Sequence, residues 1–347
     1  MNLPNTIKDA LVFLKSAKCP EDIFGLESEI KSVFRELAML VHEDKAVDSL
    51  KPIAHEAFLL LTKWNGEAGD KVKAGTYGDK KPSVIATIAT KTASYDLFTL
   101  ILEGDIANFY IGQDKNGKKV LIKISNSPKD NDLMKNEADI LAKLPATLDP
   151  KHAAYFPNLL DSFEINNPRQ RVNIFDYSEG AVTLREVREA YPDGINPADA
   201  AWMWNRCLEA LHLLHIYGYV HASVTPDSFI IVPETHQGML IDFCYAVKYG
   251  ENAVAYSDKW ENNYAPETFQ KKPLDFSSDI YNASFLLEYL INKSIPTEVN
   301  NIIKACRLGQ TFRPKSAEGV YGDIAKIWRR LYGPKKFREF KMPDKSI

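Results

Sequence analysis

The segment Tyr219-Val220-His221-Ala222-Ser223-Val224-Thr225-Pro226-Asp227-Ser228 gathers an imidazole, a phenol, three aliphatic hydroxyls and one carboxylate. Proton transfer near neutral pH needs a group with an accessible basic form. A serine or threonine hydroxyl has none, so Ser223, Thr225 and Ser228 cannot accept a proton, and Asp227 is the nearest carboxylate in the chain. Asp242-Phe243-Cys244 adds an acid beside a thiol, Lys123 ends the apolar run Val120-Leu121-Ile122, and Glu137 lies in LMKNEADILAKL. Taken singly, a lysine on a half-polar strand or a glutamate on a helix is a solvated surface residue. His42 and Asp44 flank Glu43 in a short polar stretch, and Gly104-Asp105-Ile106-Ala107-Asn108-Phe109 holds a single glycine.

The four cysteines, Cys19, Cys207, Cys244 and Cys306, show no paired spacing, which argues against a disulfide framework or a structural zinc site and for a reducing compartment. With 347 residues, 45% of them hydrophobic, the chain has room for two domains with their own cores. A net charge of -3 gives no global electrostatic reason to expect a nucleic-acid or membrane partner. MNLPNTIKDA lacks a basic stretch followed by an apolar run, and no window approaches the length of a membrane span. The expected location is the cytoplasm, either the organism's own or that of a host cell.

These residues need elements to position them. Ile30, Val33, Phe34, Leu37, Ala38 and Val41 form one helical stripe, and Ile53, Ala57, Phe58, Leu61 and Trp64 another, with the polar stretch 42–46 as the loop between two packed helices. The Gly- and Lys-rich stretch NGEAGDKVKAGTYGDKKP marks a linker, set at residues 69–94. Short strand-like runs follow, DLFTLILEG, NFYIGQD and KKVLIKIS, the last two joined by an Asn116-Gly117 turn. Helical periodicity returns at Asp199 to Ile216 and Ser278 to Leu290, with a strand pair near Phe229 to Val232 and Met239 to Asp242.

In this order the residues resemble the eukaryotic-type protein kinase domain over about Tyr95 to Leu331. The resemblance implies an α+β fold with a small antiparallel-sheet lobe and a helical lobe, set at residues 95–333. It makes Lys123 the lysine that holds ATP phosphates, Glu137 its partner on the C-helix, Gly104 the remnant of the glycine-rich loop, and Asp242 the magnesium aspartate. ATP and magnesium follow as ligands, with Asp242 as the metal residue. In the same frame Ser223 stands where the family has its catalytic aspartate, Thr225 its lysine and Ser228 its metal-binding asparagine, so no catalytic residue is assigned. Cys244 replaces the hinge glycine, and Asp105 brings negative charge towards a polyphosphate. His221 packs beneath the aspartate motif, Asp279 braces the catalytic loop and Arg313 pairs with Glu267 of Tyr264-Ala265-Pro266-Glu267. Those last residues fit protein kinases better than aminoglycoside-type phosphotransferases.

Residues 1–68, with SEIKSVFRELAMLV, the loop HEDKA and LKPIAHEAFLLLTKWNGEA, are similar to a J domain. This implies a small all-α module contacting a DnaK-type chaperone through His42 and Asp44. The family's loop proline, which fixes the turn, is Glu43 here. Residues 334–347 read as a solvated basic tail, the interleaved Trp328, Tyr332, Phe337 and Phe340 reading as packing and not as nucleic-acid contacts. The expectation is a pseudokinase, a scaffold or regulator with a protein partner. Against it stand an atypical transferase that borrows Asp227, and a co-chaperone. The oligomeric state is left open.

Overall fold

The computed structural model describes residues 3–42, 46–73, 76–78, 84–144, 148–166, 168–292, 295–334 and 337–343. It divides into two compact units, Met1–Ser83 and Val84–Ile347.

The first unit is helical. Thr6 accepts a hydrogen bond from the Asp9 backbone NH (3.2 Å) and so caps α1 (Ile7–Ser16). The single turn α2 (Glu21–Phe24) precedes α3 (Ile30–Leu40) and α4 (Lys51–Lys73). The stripe read from the sequence supplies Leu37, Val41, Ala57 and Leu61 to a core shared with Ala10, Leu14, Ile23 and Phe24. Trp64 Nε1 donates to the Leu14 carbonyl (3.2 Å), tying α4 to α1. Two helices thus precede the expected pair, and α4 runs beyond the expected boundary at residue 68 to Lys73. Gly66 and Gly69 weaken a helix by about 1 kcal/mol each, but Ala68 is buried and Lys71 Nζ lies 2.6 Å from Glu21 Oε1. Glu21 also accepts from the Gly78 NH at 3.1 Å. Burial pushes its carboxyl up, yet the Lys71 ammonium and backbone donors outweigh this and lower it to about 2.

In the second unit six antiparallel strands run in the order β1-β2-β3-β4-β6-β5: β1 (Ala86–Ala89), β2 (Ser94–Glu103), β3 (Ala107–Asp114), β4 (Lys119–Ser125), β5 (Leu159–Ile165) and β6 (Gln170–Asp176). Strand β1 falls inside the stretch assigned to the linker. It pairs Ala86–Ala89 with Ser94–Leu97, and Thr87 Oγ1 donates to Asp96 (2.6 Å). The β3–β4 turn is the expected one, with Gly117 at φ +85° and Asp114 accepting from the Asn116 and Lys118 amides, both at 2.8 Å. Helix α5 (Asn131–Leu141) packs on β6.

The helical lobe contains α6 (Leu184–Ala190), α7 (Pro197–Ile216), α8 (Phe276–Ile291), α9 (Thr297–Cys306) and α10 (Ala317–Tyr332). Its short strands are β7 (Val182–Thr183), β8 (Tyr219–Val220), β9 (Phe229–Val232), β10 (Gln237–Leu240) and β11 (Val247–Lys248). Helix α7 is buried on most sides: Trp204, Leu208 and Leu211 are fully enclosed, and Trp204 Nε1 donates to the Ala283 carbonyl of α8 (2.8 Å). In the described part of the tail, residues 337–343, Arg338 and Lys341 are exposed and Phe340 is buried. The Phe340 ring finds apolar partners, while Phe337 stays 70% exposed with its ring 4.5 Å from that of His236 and the cations beside them stay in water. Among the described residues no helix is long and apolar enough to cross a membrane.

Candidate functional site

Strand β4 lies between β3 and β6, and the Lys123 side chain points into the space under α5, where it is 1% exposed. An ammonium that deep must be paired. Lys123 Nζ lies 3.0 Å from both carboxylate oxygens of Glu137, 2.8 Å from Asp242 Oδ1 and 3.1 Å from Cys244 Sγ. Burial would push the lysine down, but Asp242, Cys244 and Glu137 hold it well above its ordinary value. Burial pushes Asp242 up and Lys123 reverses this, leaving the acid below the usual carboxylate range. The Cys244 thiol is pushed well up by burial.

Glu137 also accepts from Asn173 Nδ2 of β6 (2.9 Å) and from the Phe243 backbone NH (3.2 Å). Asn136 Nδ2 donates to the Ala246 carbonyl (2.8 Å), a second tie from α5 to this segment. Sequence reading missed Asn173 and Asn136. The available signal was an amide in the otherwise apolar stretch Val172-Asn173-Ile174-Phe175. Glu137, Asp242 and Cys244 form a metal-like donor cluster among the described residues, but the Lys123 ammonium stands within 3.1 Å of all three. The cluster already has its cation.

The loop after β2 is a tight hairpin. Gly104 N donates to the Ala107 carbonyl (3.0 Å), where a Cβ on Gly104 would meet that oxygen at 2.7 Å. Asn126 Nδ2 donates to the Gly104 carbonyl (2.7 Å), and Ile106 packs with Met134 and Cys244. Asp105 is bonded by the Ser257 hydroxyl. The Phe109 ring, where the family pattern has its third glycine, stands with its centroid 5.3 Å from Lys123 Nζ.

The loop after β8 is equally enclosed. Ser223 is 3% exposed, and its hydroxyl hydrogen-bonds the Tyr264 hydroxyl at 2.9 Å. Tyr264 in turn accepts from the Ser257 amide (3.1 Å). Ser228 Oγ accepts from the Thr225 NH (2.8 Å) and donates to the Thr225 carbonyl (3.1 Å), so it closes its own turn. Asp279, at the start of α8 and fully buried, accepts from the amides of His221 (2.8 Å) and Ala222 (2.9 Å) and from His215 Nε2 (2.9 Å). These bonds hold Ala222 in the left-handed region at φ +61°. His221 Nε2 lies 3.0 Å from the Ile241 carbonyl and its ring is edge-on to Phe243 at 4.9 Å.

Asp227 is not a free carboxylate. Arg185 Nε and Lys259 Nζ each donate to it at 2.6 Å and Trp260 Nε1 at 2.8 Å. Burial pushes it up, but Lys259, Trp260 and Arg185 hold it below its ordinary value. Arg313 makes a two-pronged pair with Glu267 (2.5 and 2.8 Å), and Ser278 Oγ donates to the same carboxylate at 2.7 Å.

The structure therefore brings together Lys123, Glu137 and Asp242, and it sets Ser223, Thr225 and Ser228 in one buried turn. In the first unit His42 follows α3, its ring 6.4 Å from that of Phe58, while Asp44 lies outside the described residues.

The family model for the protein kinase domain matches residues 95–319. Among solved structures, the chain is similar to the kinase domain of BubR1, with a TM-score of 0.56 and 14% identity over 75% of this chain and 91% of that one. It is also similar to vaccinia related kinase 3, with a TM-score of 0.59 and 11% identity over 75% of this chain and 94% of that one. At these identities the two likenesses speak for the fold.

Proposed function

Because this chain belongs to the protein kinase domain family, we propose that its kinase-fold unit is a binding and regulatory module that transfers no phosphate. The observation that carries this reading is Ser223, a buried hydroxyl engaged by Tyr264 at the position where the family accepts the substrate proton. Neither neighbouring acid can take that role. Asp227 is saturated by two cations and an indole NH, and Asp242 is committed to Lys123.

The residues do not fit magnesium with a triphosphate as they are arranged. Magnesium asks for several oxygens around it, and here the carboxylates of Asp242 and Glu137 are both bound to the Lys123 ammonium, while Ser228 faces inward. The Phe109 ring stands beside the lysine that would hold the phosphates, and Asp105 adds a like charge at the loop tip. The module thus works closed on its own ion cluster, presenting a folded surface to a protein partner. Incubation with γ-labelled ATP, magnesium or manganese, and general protein substrates is expected to give no labelled product, for the wild type and for Ser223→Asp alike. Transfer by the wild type that is lost in Asp242→Asn or Asp227→Asn overturns the proposal.

A second reading concerns the first unit. A groove of about 460 Å³ there is lined by Lys31, Phe34, Arg35, Met39 and His42, and Met39 is exposed. Two cations and an imidazole beside apolar side chains suit an acidic, amphipathic surface, which supports contact with a DnaK-type chaperone. The full chain is then expected to stimulate such an ATPase and His42→Gln to remove the effect; an equal rate with and without the chain dismisses this reading.

A further inference from the structure

The stretch 337–343, beyond the part of the chain that matches the family, lies against a groove on the helical lobe. Tyr191 follows α6, Asp199 and Trp202 sit in the first turns of α7, and His236 occupies the β9–β10 turn. The rings form a continuous ladder: Phe337 to His236 at 4.5 Å, His236 to Trp202 at 4.1 Å and nearly parallel, Trp202 to Phe340 at 6.3 Å, and Phe340 to Tyr191 at 5.7 Å. Between the two phenylalanines, Arg338 Nε stands 3.6 Å from Asp199 Oδ1. The Tyr191 hydroxyl donates to the Lys341 carbonyl.

The groove is a built feature of the lobe. His236 holds a left-handed backbone at φ +53°, costly for a residue with a Cβ. Arg206 Nε donates to its carbonyl (3.1 Å), and the next residue's Gln237 Nε2 donates to the Ala154 carbonyl (3.1 Å), which fixes the turn. Three of its polar atoms, Asp199 Oδ1, Trp202 Nε1 and His236 Nε2, are buried with no hydrogen-bond partner among the described residues. A buried acceptor and a buried donor left so are costly, and at 3.6 Å the guanidinium of Arg338 pairs with Asp199 without a full hydrogen bond. The chain's own segment buries Phe340 in the groove, leaves Phe337 70% exposed over His236, and leaves Trp202 Nε1 and His236 Nε2 unmet.

We propose that this groove is a docking site for a segment of a partner protein carrying two aromatic residues three apart with a cation after the first, and that residues 337–341 are its built-in competitor. The seated tail shows the required chemistry: rings for His236, Trp202 and Tyr191, a cation for Asp199 and a backbone carbonyl for the Tyr191 hydroxyl. A segment that also bonds Trp202 Nε1 gains a contact the tail lacks. Tethering close to the end of α10 gives the tail a local concentration of roughly millimolar order. A partner segment therefore meets a groove that is free only part of the time, and its apparent affinity falls by that fraction. The groove shares no residue with the Ser223 turn, and its occupancy does not depend on whether the cleft transfers phosphate.

The test uses the full-length chain and a fluorescent peptide of residues 334–343, with binding read by anisotropy. The double variant Phe337→Ser, Phe340→Ser is expected to bind the peptide at least tenfold more tightly than the wild type. In that background Asp199→Asn weakens binding several-fold, and a peptide carrying Phe340→Ser does not bind. Circular dichroism confirms that each variant is folded, and the altered peptide needs no change in the protein. Equal binding by wild type and double variant, no binding to either, or indifference to Phe340→Ser in the peptide overturns the proposal. So does a stable wild-type dimer that the double variant loses, since the occupant would then be a second copy.

Discussion

Lys123→Met is expected to destabilise the kinase-fold unit by about 3–5 kcal/mol, the cost typical of removing one partner from a buried ion pair. In the wild type one ammonium, 1% exposed, neutralises Glu137 and Asp242 together. Methionine fills the space but leaves two carboxylates facing each other without a cation, and Asn173 and the Phe243 amide stabilise only one of them. For a domain of this size the loss corresponds to roughly 10 °C in melting temperature. The triple variant Lys123→Met, Glu137→Gln, Asp242→Asn removes the charges along with the cation and recovers much of the stability, as neutral replacements of buried ion clusters often do. Differential scanning calorimetry of the three proteins decides the matter. A single variant as stable as the wild type would mean that Lys123 is not the cation that holds this cleft together.

Asp279→Ala is expected to cost about 3–5 kcal/mol as well, by a different route. It orphans the His221 and Ala222 amides and the His215 ring nitrogen at a fully buried place. The loss is local before it is global, because those two amide bonds hold Ala222 at φ +61°. Hydrogen exchange at His221 and Ala222 is expected to accelerate far more than exchange in α7, whose core contacts are untouched. Uniform acceleration across the lobe, or none, would contradict this role for Asp279.

Much of this arrangement was legible in the order of residues. Lys123, Glu137, Asp242, Asp279, Glu267 and Arg313 all stand where the kinase-like sequence places them, because strand, helix and loop positions fix them. The contacts that close the site were not legible. Tyr264 and Ser223 meet across 41 residues of sequence, and Asn173 reaches Glu137 across 36, so no local pattern announces either bond. The commitment of Asp227 was not legible for the same reason: its partners Arg185 and Lys259 lie on other segments. The linker was set too wide because its glycines and lysines dominate the composition, whereas α4 reaches Lys73 on the strength of Ala68 and the Lys71–Glu21 pair and β1 forms by pairing with β2. In the tail, the aromatic residues read as packing: Phe340 is buried against Tyr191 and Trp202, whereas Phe337 stays 70% exposed.

In the proposed function the cleft is closed on its own lysine and works without nucleotide. Anything that binds the folded state alone raises apparent stability by mass action, by about 2.7 kcal/mol at a hundredfold excess over its dissociation constant. The direct measurement is the melting temperature of the purified chain across a titration of ATP with magnesium, beside Phe109→Gly under the same conditions. No shift is expected for the wild type at millimolar nucleotide, whether or not the glycine variant responds. A saturable, magnesium-dependent rise in the wild type that Asp242→Asn removes would contradict it.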